Sequence, residues 1–185
     1  MVFKQMDTSA VLRELLILRH TKSDRSDLSL ADFDRPLSER GREDAHTMGR
    51  WLHKQRLIPN YILTSPAKRT LQTIKRAKNH FDPDNTITCL HQPNLYEATL
   101  DDLLSVLAEI PTHYERVLIV GHNPSLEQLL TYLAPETTSL NDVKLFPTGA
   151  LAQLILPSDW QHLRAGCGKL INLWRVKNLP TQVNS

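Results

Sequence analysis

"RVLIVGHNPSLEQLLTYL", Arg116 to Leu133, decides how the chain must fold. Arg116 to Val120 is short, apolar and rich in β-branched residues, the signature of a buried strand. The remainder of the stretch reads as a helix. Asn123 is a natural N-cap, Pro124 suits the first helical position, and Leu126, Leu129, Leu130 and Leu133 recur along one face as a buried stripe. A strand feeding directly into a helix must return to its sheet by a crossover, so repetition of this unit gives parallel strands with helices on both faces. Gly121 and His122 stand at the junction.

The unit recurs upstream. Tyr61 to Leu63 is a second strand, followed by "TSPAKRTLQTIKRAKNH", in which Ser65 is placed as N-cap and Pro66 as first helical residue. Glu14 to Leu18 is the first strand and ends in Arg19 and His20. Thr21 to Pro36 is polar and without sustained apolar period, hence a long loop of the kind that usually has a job. Ser38 then caps a helix to about Gln55, with Ala45, Met48 and Leu52 on one face. Thr86 to Leu90 is a third strand, Leu100 to Glu109 a helix stopped by Pro111, and Leu151 to Leu156 with Lys169 to Val176 two further strands expected to pair antiparallel. "AGCGK", Ala165 to Lys169, reads as the turn between them. The fold class is α/β, a three-layer sandwich with a mostly parallel central sheet flanked by helices. A single domain over residues 1–185 is expected, with 1–10 and 177–185 as loose ends.

Composition agrees with that architecture and excludes others. With 185 residues, 41% hydrophobic and 23% charged, the chain can bury a full core without disulfides or a structural metal. The first apolar run is too short for a signal-peptide core or a membrane span, so no membrane association and a cytoplasmic location are expected. Cys89 and Cys167 have no CxxC partner and read as small buried side chains, and no histidine spacing resembles a metal-ligand motif, so no metal and no cofactor are expected. A net charge of +2 gives no nucleic-acid footprint. The basic run Lys68, Arg69, Lys75, Arg76, Lys78 is a solvated helix face except at Arg69, and Trp51, Trp160 and Trp174 belong to the core or its edge.

In sheets of this kind ligands bind beyond the carboxyl ends of the strands. Three such ends deliver Arg19 and His20, Ser65 with Arg69 one turn later, and Gly121 with His122. If these ends are neighbours, two arginines, two histidines and two helix amino ends converge on one anion site. Planar guanidinium forks and helix N–H groups suit a phosphoryl group. A neutral imidazole supplies what binding alone does not need, a nucleophile that requires no prior ionisation near pH 7. His20 is the candidate.

The ordered motifs "LRHTKS", "DFDRPLSERGREDA", "TSPAKRTLQT", "LYEAT" and "VGHNPSLEQLL" resemble those of the histidine phosphatase superfamily, and within it the small bacterial SixA-type phosphohistidine phosphatases. The resemblance spans roughly Leu15 to Leu156. It implies a phosphoglycerate mutase-like fold, a transient phosphohistidine on His20, phosphoryl clamps at Arg19 and Arg69, His122 completing the pocket, and no metal. Two departures stand out. Thr21 follows the Arg-His pair where glycine is frequent, and its hydroxyl is a candidate phosphate ligand beside Lys22 and Ser23. Asn123 follows the second histidine where some members carry an acidic residue, which leaves Glu97 of "LYEAT" as the available general acid. Protonated imidazole leaves phosphorus easily, so a weak acid favours a phosphohistidine-bearing protein, such as a phosphotransfer domain, as substrate and partner. The alternatives are a small phosphomonoester and a non-catalytic module that holds phosphorylated groups. "PTGA", Pro147 to Ala150, is expected to border the pocket.

Overall fold

The computed structural model describes residues 12–140, 144–157 and 159–180. Of the ends expected to be loose, 1–10 and 181–185 lie outside the described residues, whereas Val176–Asn178 forms a 3-10 turn. The described strands are β1 (Arg13–Arg19), β2 (Tyr61–Thr64), β3 (Thr88–His91), β4 (Arg116–Gly121), β5 (Ala150–Leu156) and β6 (Lys169–Arg175). They form one sheet in the order β3-β2-β4-β1-β5-β6. β1, β2, β3 and β4 run parallel, while β5 pairs antiparallel with both β1 and β6. The expected α/β class and the antiparallel final pair are both observed.

β1 occupies the centre, and its side chains sort by parity. Leu15 and Ile17 face the helices α3 (Leu100–Ala108) and α4 (Ser125–Leu133), whereas Leu16 and Leu18 face α1 (Glu39–Lys54) and α2 (Lys68–Lys78). All four are fully buried. A strand covered on both faces reads as a continuous apolar run, which is why "LLIL" shows no alternation. Removal of each such side chain from water contributes about 1.5–3 kcal/mol, enough to fix where β1 ends and hence where Arg19 and His20 emerge. Trp160 is buried in the α3/α4 layer, and Trp51 and Trp174 meet edge-to-face at the rim of the other. Among the described residues, no helix is long and apolar enough to cross a membrane.

Local boundaries follow polar side chains that the apolar period does not register. Ser38 caps α1 as expected, its hydroxyl accepting the Gly41 N–H at 3.1 Å. α3 begins with a capping box between Thr99 and Asp102. β3 starts two residues later than expected because Asp82 accepts the N–H groups of Thr86 and Ile87, folding that segment into a turn. Asp82 also pairs with Lys78 at 3.0 Å, so Lys78 is buried rather than part of a solvated face. Both cysteines are free and half-buried.

The long excursion after β1 is closed at its base. The Asp24 N–H donates to the Pro36 carbonyl (2.8 Å), the Ser38 N–H to the Lys22 carbonyl (2.9 Å), and Ser23 bridges Leu37. Beyond that staple the chain wanders through exposed turns, and a single 3-10 turn at Asp32–Asp34 brings it back over the carboxyl edge of the sheet.

Candidate active site

A cavity of about 510 Å³ opens at that edge, and Arg19, His20, Arg69, Glu97 and His122 all line it. The sheet order explains the convergence. β1 and β4 are adjacent and in register with Arg19 opposite Gly121, so His20 and His122 leave neighbouring strands side by side. Their ring centroids are 5.2 Å apart.

Both histidine rings are held by a hydrogen bond at one nitrogen. His20 Nδ1 lies 2.7 Å from the Thr21 carbonyl, which can only accept, so Nδ1 carries the proton and Nε2 keeps its lone pair. His122 Nε2 lies 2.8 Å from Ser65 Oγ. Ser65 Oγ also accepts the Ala67 N–H, and when its own hydrogen goes to His122 Nε2 the proton of a neutral His122 stands on Nδ1. That Nδ1 is buried and has no hydrogen-bond partner among the described residues. Burial lowers the His20 pKa to about 4, with Arg69 and Arg19 adding to the effect, although the Thr21 hydrogen bond opposes it. Burial, Arg69 and His20 together bring His122 to about 3. Both rings are neutral at pH 7.

The arginines are positioned by backbone and by a carboxylate. Arg19 donates to the Phe146 carbonyl at 2.8 Å, and burial lowers its pKa against the pull of Glu127. Arg69 donates to the Asp32 carbonyl (2.6 Å) and to its carboxylate (2.9 Å). Asp32 also receives the Tyr96 hydroxyl at 3.2 Å and pairs with Arg35 at 3.1 Å. Tyr96 in turn stands edge-on to the His122 ring. The sequence does not single out Asp32 or Tyr96; an aspartate-rich stretch gives no reason to prefer one carboxylate, because the selection is made by the 3-10 turn.

Several local expectations need correction. Ser65 is expected from the sequence to cap α2 with Pro66 as first helical residue, yet its hydroxyl is engaged with His122 and α2 begins at Lys68 with Ala67 at the cap position. α2 therefore offers the pocket the Arg69 side chain rather than its amino end. Asn123 is expected to cap α4, but its amide donates to Glu127 and to the Phe146 carbonyl, and the helix begins at Ser125. The Thr21 hydroxyl does not line the cavity: it donates to the Gly41 carbonyl at 2.7 Å, while the Thr21 N–H donates to Thr73 Oγ at 3.2 Å. Thr73 donates to the Arg69 carbonyl, so these bonds tie the His20 segment to the first turns of α1 and α2. Thr21 needs no positive φ, in contrast to Glu97, whose φ of 53° is a left-handed conformation that costs a non-glycine residue free energy. Thr148 lines the cavity, and the Gly149 N–H (φ 74°) reaches the Arg19 and His20 carbonyls, so "PTGA" borders the pocket as expected.

Among the other histidines, His46 and His80 bond to each other at 3.0 Å, and His162 pairs with Asp159.

The sequence profile of the histidine phosphatase superfamily (branch 1) matches residues 15–104. In this stretch the chain is similar to the histidine phosphatase superfamily. It is 29% identical over 184 residues to an uncharacterized chloroplastic protein of Arabidopsis thaliana, covering 96% of this chain and 81% of that one. Over 145 residues it is 26% identical to the phosphohistidine phosphatase SixA of Escherichia coli, covering 77% and 85%. Among solved structures it resembles the proposed phosphohistidine phosphatase SixA of Agrobacterium tumefaciens, with TM-score 0.74 and 29% identity over 88% of this chain and 97% of that one. The layered fold is phosphoglycerate mutase-like.

Proposed function

We propose that the protein is a metal-independent phosphatase that works through a phosphohistidine on His20 and acts on phosphohistidine in a protein, in a cytoplasmic setting. The single observation that carries the reading is the proton on His20 Nδ1, fixed by the Thr21 carbonyl, which leaves Nε2 as a neutral nucleophile between two arginines. The match to the histidine phosphatase superfamily model and the SixA-type relatives support a phosphatase.

In this mechanism Arg19 and Arg69 hold the phosphoryl oxygens, and the His122 Nδ1–H donates to one of them. The Nε2 lone pair of His20 forms the N–P bond while the P–N bond of the substrate breaks, and Glu97 protonates the departing imidazole. Nδ1–H stays on the Thr21 carbonyl, so the phosphorylated ring carries a positive charge and is itself a good leaving group. A water molecule then attacks phosphorus, gives a proton to Glu97, and His20 leaves as neutral imidazole. Turnover is complete without a further acid or base.

A second reading, hydrolysis of a small phosphomonoester, is favoured by Glu97 lining the cavity, because an acid in reach makes an alkoxide leaving group tractable. One assay separates them: a phosphohistidine protein, para-nitrophenyl phosphate and a panel of phosphate esters, with and without chelator, beside His20→Ala. The reading expects faster turnover of phosphohistidine than of unactivated esters, indifference to chelator, and loss of activity in the alanine variant. Full activity of that variant refutes the nucleophile. Binding of phosphoprotein without any turnover points to a holding module.

A further inference from the structure

A second, smaller basin of about 210 Å³ adjoins the phosphoryl pocket, and Lys22 and Thr148 line both. Its four cations come from three separate stretches of the chain: Lys22 after β1, Arg40 in the first turn of α1, and Arg175 at the end of β6 with Lys177 just beyond it. Asp44 is the carboxylate among its lining residues, and it lies 3.7 Å from Arg40 with its side chain only 20% exposed. The lysines are exposed, and the Arg40 side chain is 73% exposed. Arg175 is fixed from behind by donation to the Leu145 carbonyl.

This concentration is not a reflection of overall charge, since the chain carries 22 Lys and Arg against 20 Asp and Glu. It is also not part of the phosphoryl clamp, because Arg40, Arg175 and Lys177 do not line the catalytic cavity. The fold has gathered basic side chains on one side of the pocket mouth. Tyr96 and Glu97 line the catalytic cavity but not this basin. Among the described residues, no aromatic side chain lines the basin, which removes the base-stacking platform that single-stranded nucleic acid uses.

We propose that the ledge of Lys22, Arg40, Arg175 and Lys177 docks an acidic segment of the phosphoprotein whose phosphohistidine enters the adjoining pocket. The inference rests on the reading of a protein-borne phosphohistidine as substrate and adds what kind of protein it is. Rim charges of this sort act mainly on encounter and selection among partners, and salt screens them. The ledge therefore discriminates between substrates that present the same phosphoryl group.

The test uses two synthetic peptides that each carry one phosphohistidine, one flanked by Asp and Glu and the other by Ser and Gln. The wild-type protein is expected to prefer the acidic peptide by about ten-fold in kcat/KM at low salt, with the preference shrinking as salt rises from about 50 to about 300 mM. Arg40→Glu combined with Lys177→Glu is expected to abolish the preference, to leave the neutral peptide within about two-fold, and to leave para-nitrophenyl phosphate turnover unchanged. Equal kcat/KM for the two peptides in wild type overturns the docking proposal alone. So does an equal fall on both peptides in the variant, or competition by a short single-stranded oligonucleotide with none by an acidic peptide. Turnover of neither peptide, with para-nitrophenyl phosphate still hydrolysed, refutes the phosphohistidine reading and the docking proposal with it.

Discussion

Gly41→Ala sets two opposed effects against each other, and the structure decides the sign. In the first turn of α1 an alanine is worth about 1 kcal/mol over glycine through helix propensity. A Cβ at this position, however, would stand 1.9 Å from the Lys22 carbonyl oxygen and 2.9 Å from its carbon, both backbone atoms. An ordinary C···O contact is about 3.3 Å, so the two segments must part by about 1.4 Å. That carbonyl accepts the Ser38 N–H at 2.9 Å and the Ser38 hydroxyl at 3.1 Å, and a displacement of this size loses both bonds, each worth about 1 kcal/mol. Overpacking adds about 1–3 kcal/mol. The net expectation is a loss of about 2–4 kcal/mol, or a fall in Tm of about 5–15 °C for a chain of this size. Because Lys22 is two residues from His20 and the Gly41 carbonyl anchors Thr21, kcat on para-nitrophenyl phosphate is expected to fall as well. Calorimetry and steady-state kinetics on the purified variant measure both. An unchanged or higher Tm refutes the reasoning, since it means the 21–22 backbone yields freely and helix propensity wins.

Other expectations concern the site itself. The pKa values of about 4 for His20 and about 3 for His122 lie below the ordinary 6.5, so the unfolded chain binds protons first as pH falls. Their contribution is full above about pH 6.5 and is lost progressively through about pH 4 and below, a destabilisation on the order of a few kcal/mol that urea titrations at descending pH detect and a His20→Asn/His122→Asn protein reduces. Asp32→Asn keeps an acceptor for Arg69 but removes a negative charge from the phosphoryl pocket; inhibition by inorganic phosphate is expected to tighten several-fold, measured as its inhibition constant. Arg69→Lys retains the charge and loses the fork, and kcat/KM is expected to fall by about 100-fold with little change in Tm.

The layers and the strand ends are legible in the chain because both depend on hydrophobic runs and their termination. "LLIL" and "VLIV" locate the two central strands, and a histidine stands within two residues of each run's end. The helix starts after β2 and β4 escape the sequence for one reason: serine and asparagine serve caps and pockets equally well, and only the tertiary partner decides. Ser65 meets His122, and Asn123 meets Glu127 and Phe146. Asp32 is hidden more deeply, since its role arises from a 3-10 turn in a loop with no period to read. Thr21 looks like a phosphate ligand because its hydroxyl comes directly after His20, but alternation along an extended chain turns it away from the pocket and into the α1–α2 junction.

The staple at the base of the post-β1 excursion separates the history of that loop from the chemistry beneath it. With Lys22, Ser23 and Asp24 fastened to Ser38, Leu37 and Pro36, residues can be added around Leu28, ahead of the Asp32–Asp34 turn that holds Arg69, without pulling on His20. Each doubling of loop length adds only about 0.6 kcal/mol of closure entropy. Leu28, 92% exposed at the far side, has no packing to lose. The protein thus carries an insertion site directly above its phosphoryl pocket, where a longer segment would become a roof and narrow the range of substrates while the nucleophile stayed in place.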